Sequence, residues 1–424
     1  MRHLARLPAM RRGLYYGWIV VAVTASVALI TAGTRAAPGA FLLAMEADTG
    51  FSRTTLSLAA GIGLLLYGLG GPISGAMIGR FGVRRVATAS VLMTGTTLLI
   101  SSLAREAWQL NIFFGLVLGV STGLVASSFG AMVANRWFVR HRGIVIGIFG
   151  ASSSMGQLIF IPFLAILATN IGWRQGAVVL GVIVACLVVP IILLMRDGPG
   201  SMGLTPLGAE PGSAAALQTS RKPDPGIMRR AVRSVDFWLL AGTFFICGAT
   251  SNGLIGQHFI AHAVDHGFTI QVASGALGMI GLFNFVGVLG SGWLTDRYDP
   301  RRLLLVYYVF RGLSLLYLPF VHSTMDITVF AILFGLDFFA TVPPTVALAA
   351  DRFGRHNIGI VYGWIFASHM LGGAMAAVFA GLIRDNFNDY AIAFVVAGSL
   401  AVMGGLMALT IRRTKPDVQA PAAA

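Results

Sequence analysis

The stretch Gly75-Ala-Met-Ile-Gly79-Arg80-Phe81-Gly82-Val83-Arg84-Arg85 returns 217 residues later as Gly292-Trp-Leu-Thr-Asp296-Arg297-Tyr298-Asp299-Pro300-Arg301-Arg302. Each copy ends a long apolar run, passes through glycine and turns abruptly basic. The same offset aligns Gly50-Phe51-Ser52 with Gly267-Phe268-Thr269. An offset of 216 aligns Asn135-Arg136 with Asp351-Arg352, and Gly143 and Gly147 with Gly359 and Gly363. One alignment therefore runs through most of both halves, which is the sequence mark of a duplicated structural unit.

What surrounds the two copies fixes the class. Of 424 residues, 56% are hydrophobic and 11% charged, against roughly 25% charged in an average soluble domain. Mean hydropathy is +0.80. These values exclude a soluble enzyme and a disordered chain, and the glycines follow no three-residue period, which excludes a collagen-like fibre. A hydrocarbon core about 30 Å thick needs about 20 apolar helical residues. Twelve runs qualify, at 15–44, 54–79, 86–104, 109–134, 143–169, 175–195, 236–264, 272–295, 303–321, 326–350, 358–383 and 390–411. The one long polar break, 197–234, holds Pro199, Pro206, Pro211, Pro223 and Pro225. It reads as a cytoplasmic linker with a short basic helix near Ile227–Arg233 lying on anionic lipid. The expected architecture is an all-α membrane protein of twelve transmembrane helices in two pseudo-symmetric six-helix bundles, with an N-terminal bundle at 1–196, the linker at 197–234 and a C-terminal bundle at 235–424.

Charge gives the sidedness. A net charge of +14 would suggest nucleic acid in a soluble protein, but here the basic residues fall between apolar runs. With both termini in the cytoplasm, 24 of the 30 Lys and Arg lie on the inner side. Arg53, Arg105, Arg174 and Arg384 lie outside, and Arg35 and Arg311 fall within apolar runs. Lys and Arg concentrate in cytoplasmic loops, so we expect this orientation in the plasma (inner) membrane, with lipid and no nucleic acid as partner. The basic start at 1–13 precedes an apolar run too long for the core of a signal peptide.

The G-x-x-x-D-R-x-G-x-R-R pattern after the second and eighth spans resembles the signature of the major facilitator superfamily. The resemblance covers essentially the whole chain and implies a monomeric secondary transporter whose spans 1, 4, 7 and 10 line a central path. The signature residues here are Gly75, Arg80, Gly82 and Arg84, then Gly292, Asp296, Arg297 and Arg301. In that family the Asp and Arg make charge contacts between the halves in one conformation. The second copy keeps Asp296, while the first has Gly79 in that place, so a weakened first-half contact is expected. Asn135-Arg136-Trp137-Phe138 with Arg142-Gly143 and Gly147, and Tyr15-Tyr16-Gly17-Trp18, resemble the monocarboxylate transporter and oxalate/formate antiporter branch. Oxalate-type members carry an Arg after an Asn-x-x-Gly in span 8 and a Lys in span 11. Here Asn284-Phe-Val-Gly287 is followed by Val288, and the span-11 position is His369. The two-cation dicarboxylate site is not preserved, and oxalate is not expected.

Ionisable groups inside a bilayer cost about 3 kcal/mol on insertion scales, so each is a functional candidate. Arg35 is placed to meet a substrate anion, its planar fork suiting a carboxylate; the structural alternative is an Arg that snorkels to the interface. His258 and His262 share a helix face, and histidine titrates near pH 6.5, so they are candidates for proton coupling, and His258 for substrate binding too, as well as for packing. Paired i, i+4 histidines also suit zinc, but no acidic or Cys ligand shares their face nearby; Asp265 and His266 beyond them read as a solvated rim, and no metal site is expected. Arg311 and Asp337 read as partners, in a structural pair or a proton-coupling switch. Tyr362 and His369, with Asn252, Gln257, Asn284, Gln157 and Ser152-Ser153-Ser154, offer hydrogen bonds to a polar ligand, or small residues for close packing. Asn252 is the repeat mate of Arg35.

Gly115, Gly119 and Gly123, and Gly143, Gly147 and Ala151, form small-residue ladders for tight crossings. Pro343-Pro344 is expected to break span 10, and Tyr15, Tyr16 and Trp18 read as an interfacial belt. Cys186 and Cys247 read as small core hydrophobes. There is no phosphate-binding loop, catalytic constellation or cofactor motif. The expected function is proton-coupled transport of a small organic anion, most simply a monocarboxylate, by alternating access; the alternative is a proton-coupled exporter of drugs or metabolites.

Overall fold

A computed structural model describes residues 15–125, 127–139, 141–208, 224–354 and 357–412. Residues 209–223 of the central linker lie outside the described residues.

Long apolar runs leave the backbone no partner but itself, so the chain forms helices. They are α1 (Gly17–Thr49), α2 (Arg53–Phe81), α3 (Val83–Ser101), α4 (Ala107–Trp137), α5 (142–171), α6 (173–194), α7 (Val235–Asp265), α8 (Ile270–Thr295), α9 (Pro300–Phe320), α10 (Thr324–Phe353), α11 (Ile358–Phe387) and α12 (Ala391–Leu409). By length and hydropathy alone ten runs qualify as spans among the described residues. One of these, Ile144–Leu194, is 51 residues long and turns at Gly172, where φ is 84°, which makes it two passes. The 19-residue α3 completes the set. A short helix, Ile227–Ala231, precedes α7, with Arg229 and Arg230 in its last turn.

The duplication is visible in how the helices touch. Gly39 of α1 and Gly256 of α7 are repeat mates, and a Cβ on Gly39 would lie 2.7 Å from the Gly256 carbonyl oxygen. The mates Gly61 and Gly278 meet mates in turn: their Cβ positions lie 3.0 Å from the Ala374 carbonyl oxygen and 3.2 Å from that of Leu158. So α2 packs on α11 as α8 packs on α5, about a two-fold axis between α1 and α7. The corner at Gly172 has its counterpart at Asn388, also left-handed with φ 57°, a conformation asparagine tolerates better than most residues.

The fourth helix of each half is broken at matching places. α4 is interrupted beyond Leu124, and α10 between Asp337 and Val342, just before Pro343-Pro344. α4 also carries a π-helical stretch at Asn111–Val117, and α7 another at Ala249–Ile255. The glycine ladder of α4 crosses α2 tightly, Gly119 against Gly63 and Gly123 against Gly70. The α5 ladder does not act in the same way: a Cβ on Gly147 meets nothing within 4 Å. The residues of the expected aromatic belt pack on one another and on their neighbours. Trp18 stacks edge-on to Phe138 at 5.0 Å, and the hydroxyls of Tyr15 and Tyr16 donate to the carbonyls of Thr205 and Leu194.

Candidate substrate site and the lock above it

Arg35 lies on α1, half-buried, with its guanidinium 4.6 Å from the centre of the Tyr67 ring of α2. No carboxylate pairs with it among the described residues. It lines a cavity of about 20 Å³, room for one water. Pro38, Leu64, Phe114, Thr122 and, from the other half, Gln257 line it too. Gln257 is buried, and its Oε1 has no hydrogen-bond partner. A cation of one half and an unfilled acceptor of the other thus border one small space, and part of the attraction for Arg35 is met by the Tyr67 face.

Below Tyr67, on the side of the chain termini, an aromatic group continues the wall. Phe366 lies 6.1 Å from Tyr67, the His369 ring stacks on Phe366 at 5.8 Å, and Tyr362 lies 6.4 Å from Phe366. His369 is held from both sides. Its Nδ1 donates to the Phe244 carbonyl oxygen at 3.1 Å, and its Nε2 accepts from the Asn252 amide at 3.0 Å. Asn252 sits in the π-helical stretch of α7, which turns the side chain out of register with the rest of the helix. Asn284 and Gln157 belong to the α5–α8 seam instead. Asn284 Nδ2 donates to Ser154 Oγ at 3.2 Å, and its Oδ1 caps the broken α10 through the Phe339 N–H at 3.1 Å. Ser152 and Ser153 spend their hydroxyls on carbonyls of their own helix.

Arg311 and Asp337 form a buried clamp. Arg311 Nε donates to Asp337 Oδ2 at 2.6 Å, its Nη2 to the carbonyls of Asp337 and Phe338, and its Nη1 to Cys247 Sγ at 2.9 Å. Both residues are fully buried, and Asp337 Oδ1 has no partner. The break in α10 supplies the free carbonyls that satisfy the guanidinium, so cation and broken helix support each other. Cys247 is one of its donor-acceptor contacts rather than a plain apolar filler, and Cys186 is exposed.

His258 does not face Arg35. It belongs to a network at the end of the molecule opposite the chain termini, centred on Arg53, whose side chain is 5% exposed. Arg53 bridges Glu46 of α1 at 2.9 Å and Asp265 of α7 through both oxygens, at 2.6 and 3.0 Å. Asp265 also receives Arg384 of α11 at 2.8 Å; it is therefore ion-paired rather than a free solvated rim. Arg53 Nη1 donates to Tyr390 Oη at 3.0 Å. The Tyr390 hydroxyl in turn donates to His258 Nδ1 at 3.2 Å. His258 Nε2 then donates to the Ala377 carbonyl at 2.8 Å, with Ser57 Oγ at 3.3 Å. Asp385 of α11 accepts from the backbone N–H groups of Arg53 and Thr54, capping α2 from across the interface. Both arginines had been legible only as outer-loop charges; nothing local in the sequence joins residues 46, 53, 258, 265, 384 and 390.

Close approaches between the halves gather at this locked end and at mid-height. Toward the chain termini, Cβ atoms on Gly75, Gly79, Gly290, Gly292, Gly359 and Gly363 meet nothing within 4 Å. The signature residues agree with halves that part there. Asp296 is exposed and forms no ion pair among the described residues, and Arg297 lies over Trp293. Arg301 pairs with Asp299 at 2.7 Å. In the first half, where Gly79 replaces the acid, Asp197 beyond α6 takes part instead. It accepts from the Arg84 backbone at 2.9 Å, and its carbonyl accepts from Arg136. Gly82, with φ 84°, leaves space that a Cβ would lose to the Asp197 carboxylate. Arg80 lies over Phe81, and Gly75 stays uncrowded.

Comparison with known proteins agrees with this architecture. The Major Facilitator Superfamily pattern matches residues 23–377 and again 291–424. Monocarboxylate transporter 13 of Rattus norvegicus is 24% identical over 93% of this chain and 89% of its own. The uncharacterized MFS-type transporter YcxA of Bacillus subtilis is 24% identical over 86% and 88%. Among solved structures, an inward-facing, unoccupied bacterial homolog of the human lysosomal transporter Spinster superposes with a TM-score of 0.75 at 13% identity, covering 95% of this chain and all of that one. The chain is therefore a member of the major facilitator superfamily, a membrane transporter and not an enzyme.

Proposed function

We propose that this transporter carries a small monocarboxylate with a proton, by alternating access. The observation that carries the reading is Arg35, a guanidinium without a carboxylate partner, held between the halves beside the unfilled Gln257 Oε1. A planar cation so placed favours a carboxylate, which it meets through two parallel hydrogen bonds. The aromatic wall of Tyr67, Phe366 and Tyr362 suits the cargo's apolar remainder, and Asn252, positioned by His369, offers its amide oxygen below it. The similarity to monocarboxylate transporters supports the class, and Arg35 being the one cation among the described residues that line the pocket argues for one carboxylate rather than two. A cationic pocket also disfavours the exporter alternative for cationic drugs.

Two groups suit proton coupling. Asp337 has a free oxygen, and its protonation would loosen Arg311 from the break in α10. His258 accepts from Tyr390 as a neutral ring; as imidazolium it would present a second cation to a hydroxyl already bound to Arg53, and so weaken the lock. With the termini in the cytoplasm, the arrangement is inward-facing and the lock is the outer gate.

The test is uptake into proteoliposomes of radiolabelled C2–C6 monocarboxylates, with oxalate as control, with and without an inward proton gradient. Wild type is expected to concentrate at least one monocarboxylate faster under the gradient. Unchanged uptake by Arg35→Gln removes the site assignment, and indifference to the gradient removes proton symport. Drug hypersensitivity of a deletion strain, without any carboxylate phenotype, would favour the exporter.

A further inference from the structure

Beside the lock, where α7 ends against the corner between α11 and α12, three potential metal ligands converge. The donor atoms of His262, His266 and Asp389 all lie within 4.8 Å of one another. The two imidazole centroids are 4.2 Å apart. His262 is 3% exposed, yet its Nδ1 has no hydrogen-bond partner. A buried imidazole nitrogen without a partner is uncommon, because leaving it unmade costs the desolvation of that atom.

Two of the ligands are also oriented from behind, as metal-binding side chains usually are. His266 Nδ1 donates to the His262 carbonyl at 3.0 Å, which fixes its proton there and leaves Nε2 as a lone pair. Asp389 Oδ1 accepts from the N–H groups of Tyr390 and Ala391, which leaves Oδ2 for a ligand. The helix spacing of His262 and His266 supplies two donors. The third comes from 123 residues further along the chain, so no search along the α7 face finds it.

We infer that His262, His266 and Asp389 bind a divalent transition metal of the zinc class, with water completing the coordination. Two imidazoles and one carboxylate suit such ions, at bond lengths of about 2.0–2.2 Å. Ligands at those lengths stand roughly 3.4 Å apart in a tetrahedron, a separation that side-chain rotation reaches from donor atoms lying within 4.8 Å of one another. All three ligands belong to the C-terminal half. The site therefore does not need the closed lock, although it adjoins Asp265 and Tyr390, both of which hold Arg53.

The probe is zinc chloride added to the purified, tag-free full chain in detergent after chelator treatment, followed by calorimetry and thermal unfolding. One zinc per chain and a raised unfolding midpoint are expected. Cobalt in place of zinc should give the visible absorption of a four-coordinate site. His266→Gln and Asp389→Asn, both at accessible positions, should weaken zinc binding at least tenfold while unfolding like wild type in chelator. Arg53→Gln should bind zinc like wild type. No binding by wild type, or equal affinity in His266→Gln and Asp389→Asn, overturns the site; loss of binding in Arg53→Gln overturns its independence from the lock.

Discussion

Arg35 and Arg311 are both arginines within apolar helices, yet their surroundings assign them opposite work. Arg311 has every donor engaged by Asp337, Cys247, Thr250 and two carbonyls at the α10 break. Arg35 has an aromatic face and a small cavity. We expect Arg35→Gln to lower carboxylate transport at least thirtyfold, since losing one member of a desolvated charge pair costs about 2 kcal/mol or more. Arg35→Lys should recover part of it, keeping charge but not the planar fork. Transport rates at matched protein density in liposomes check both. Arg311→Leu should instead destabilise the fold by about 3–5 kcal/mol, because it strands Asp337 in the interior. Adding Asp337→Leu should restore the unfolding midpoint without restoring proton-driven uptake, which separates the clamp's structural role from its coupling role.

At the scale of the elements, glycines report which helix faces touch in this conformation. Gly39 faces backbone of α7, so Gly39→Ala should weaken closure of the locked end, because neither backbone can move aside cheaply. Gly147 faces open space, so Gly147→Leu should leave thermal stability near wild type. If α5 packs closely when the terminal end shuts, that variant should nonetheless transport more slowly. Unfolding midpoints and initial rates, measured side by side, decide both. The paired breaks in α4 and α10 have a shared cause in the duplication but different local chemistry: Pro343-Pro344 marks the break in α10, whereas nothing in the residues around Val125 announces that in α4.

For the whole molecule, one locked end and one parted end amount to a two-state device, and Arg53 sets much of the bias between them. Its hydrogen bonds to Asp265 and Glu46 are charge-assisted, each worth about 1.5–3 kcal/mol. Arg53→Gln should therefore raise the open population at the locked end by tenfold or more. The measurement is the alkylation rate of an Ala60→Cys reporter, which lines the Arg35 cavity, by a membrane-impermeant reagent applied from that side. An unchanged rate would show that packing of α1 on α7, rather than the ion pairs, holds this end shut.

Composition, hydropathy and an internal repeat were enough to determine twelve helices and their duplication, because a bilayer allows an apolar chain few alternatives to the helix; the family was legible only through the resemblance of the signature after the second and eighth spans. Span limits fell close to the observed ones for the same reason, and the Arg311–Asp337 pair was readable because a cation and an acid stranded in apolar runs need each other. The assembly of Arg53 with Glu46, Asp265, Arg384 and Tyr390 was decided by tertiary structure alone. So were the removal of His258 from the substrate pocket to the lock and the arrival of Asp389 beside two histidines. These groups lie at helix ends, where charge is ordinary in sequence and carries no periodic signal. Only the packing of the two halves decides which of them lose water and must find one another.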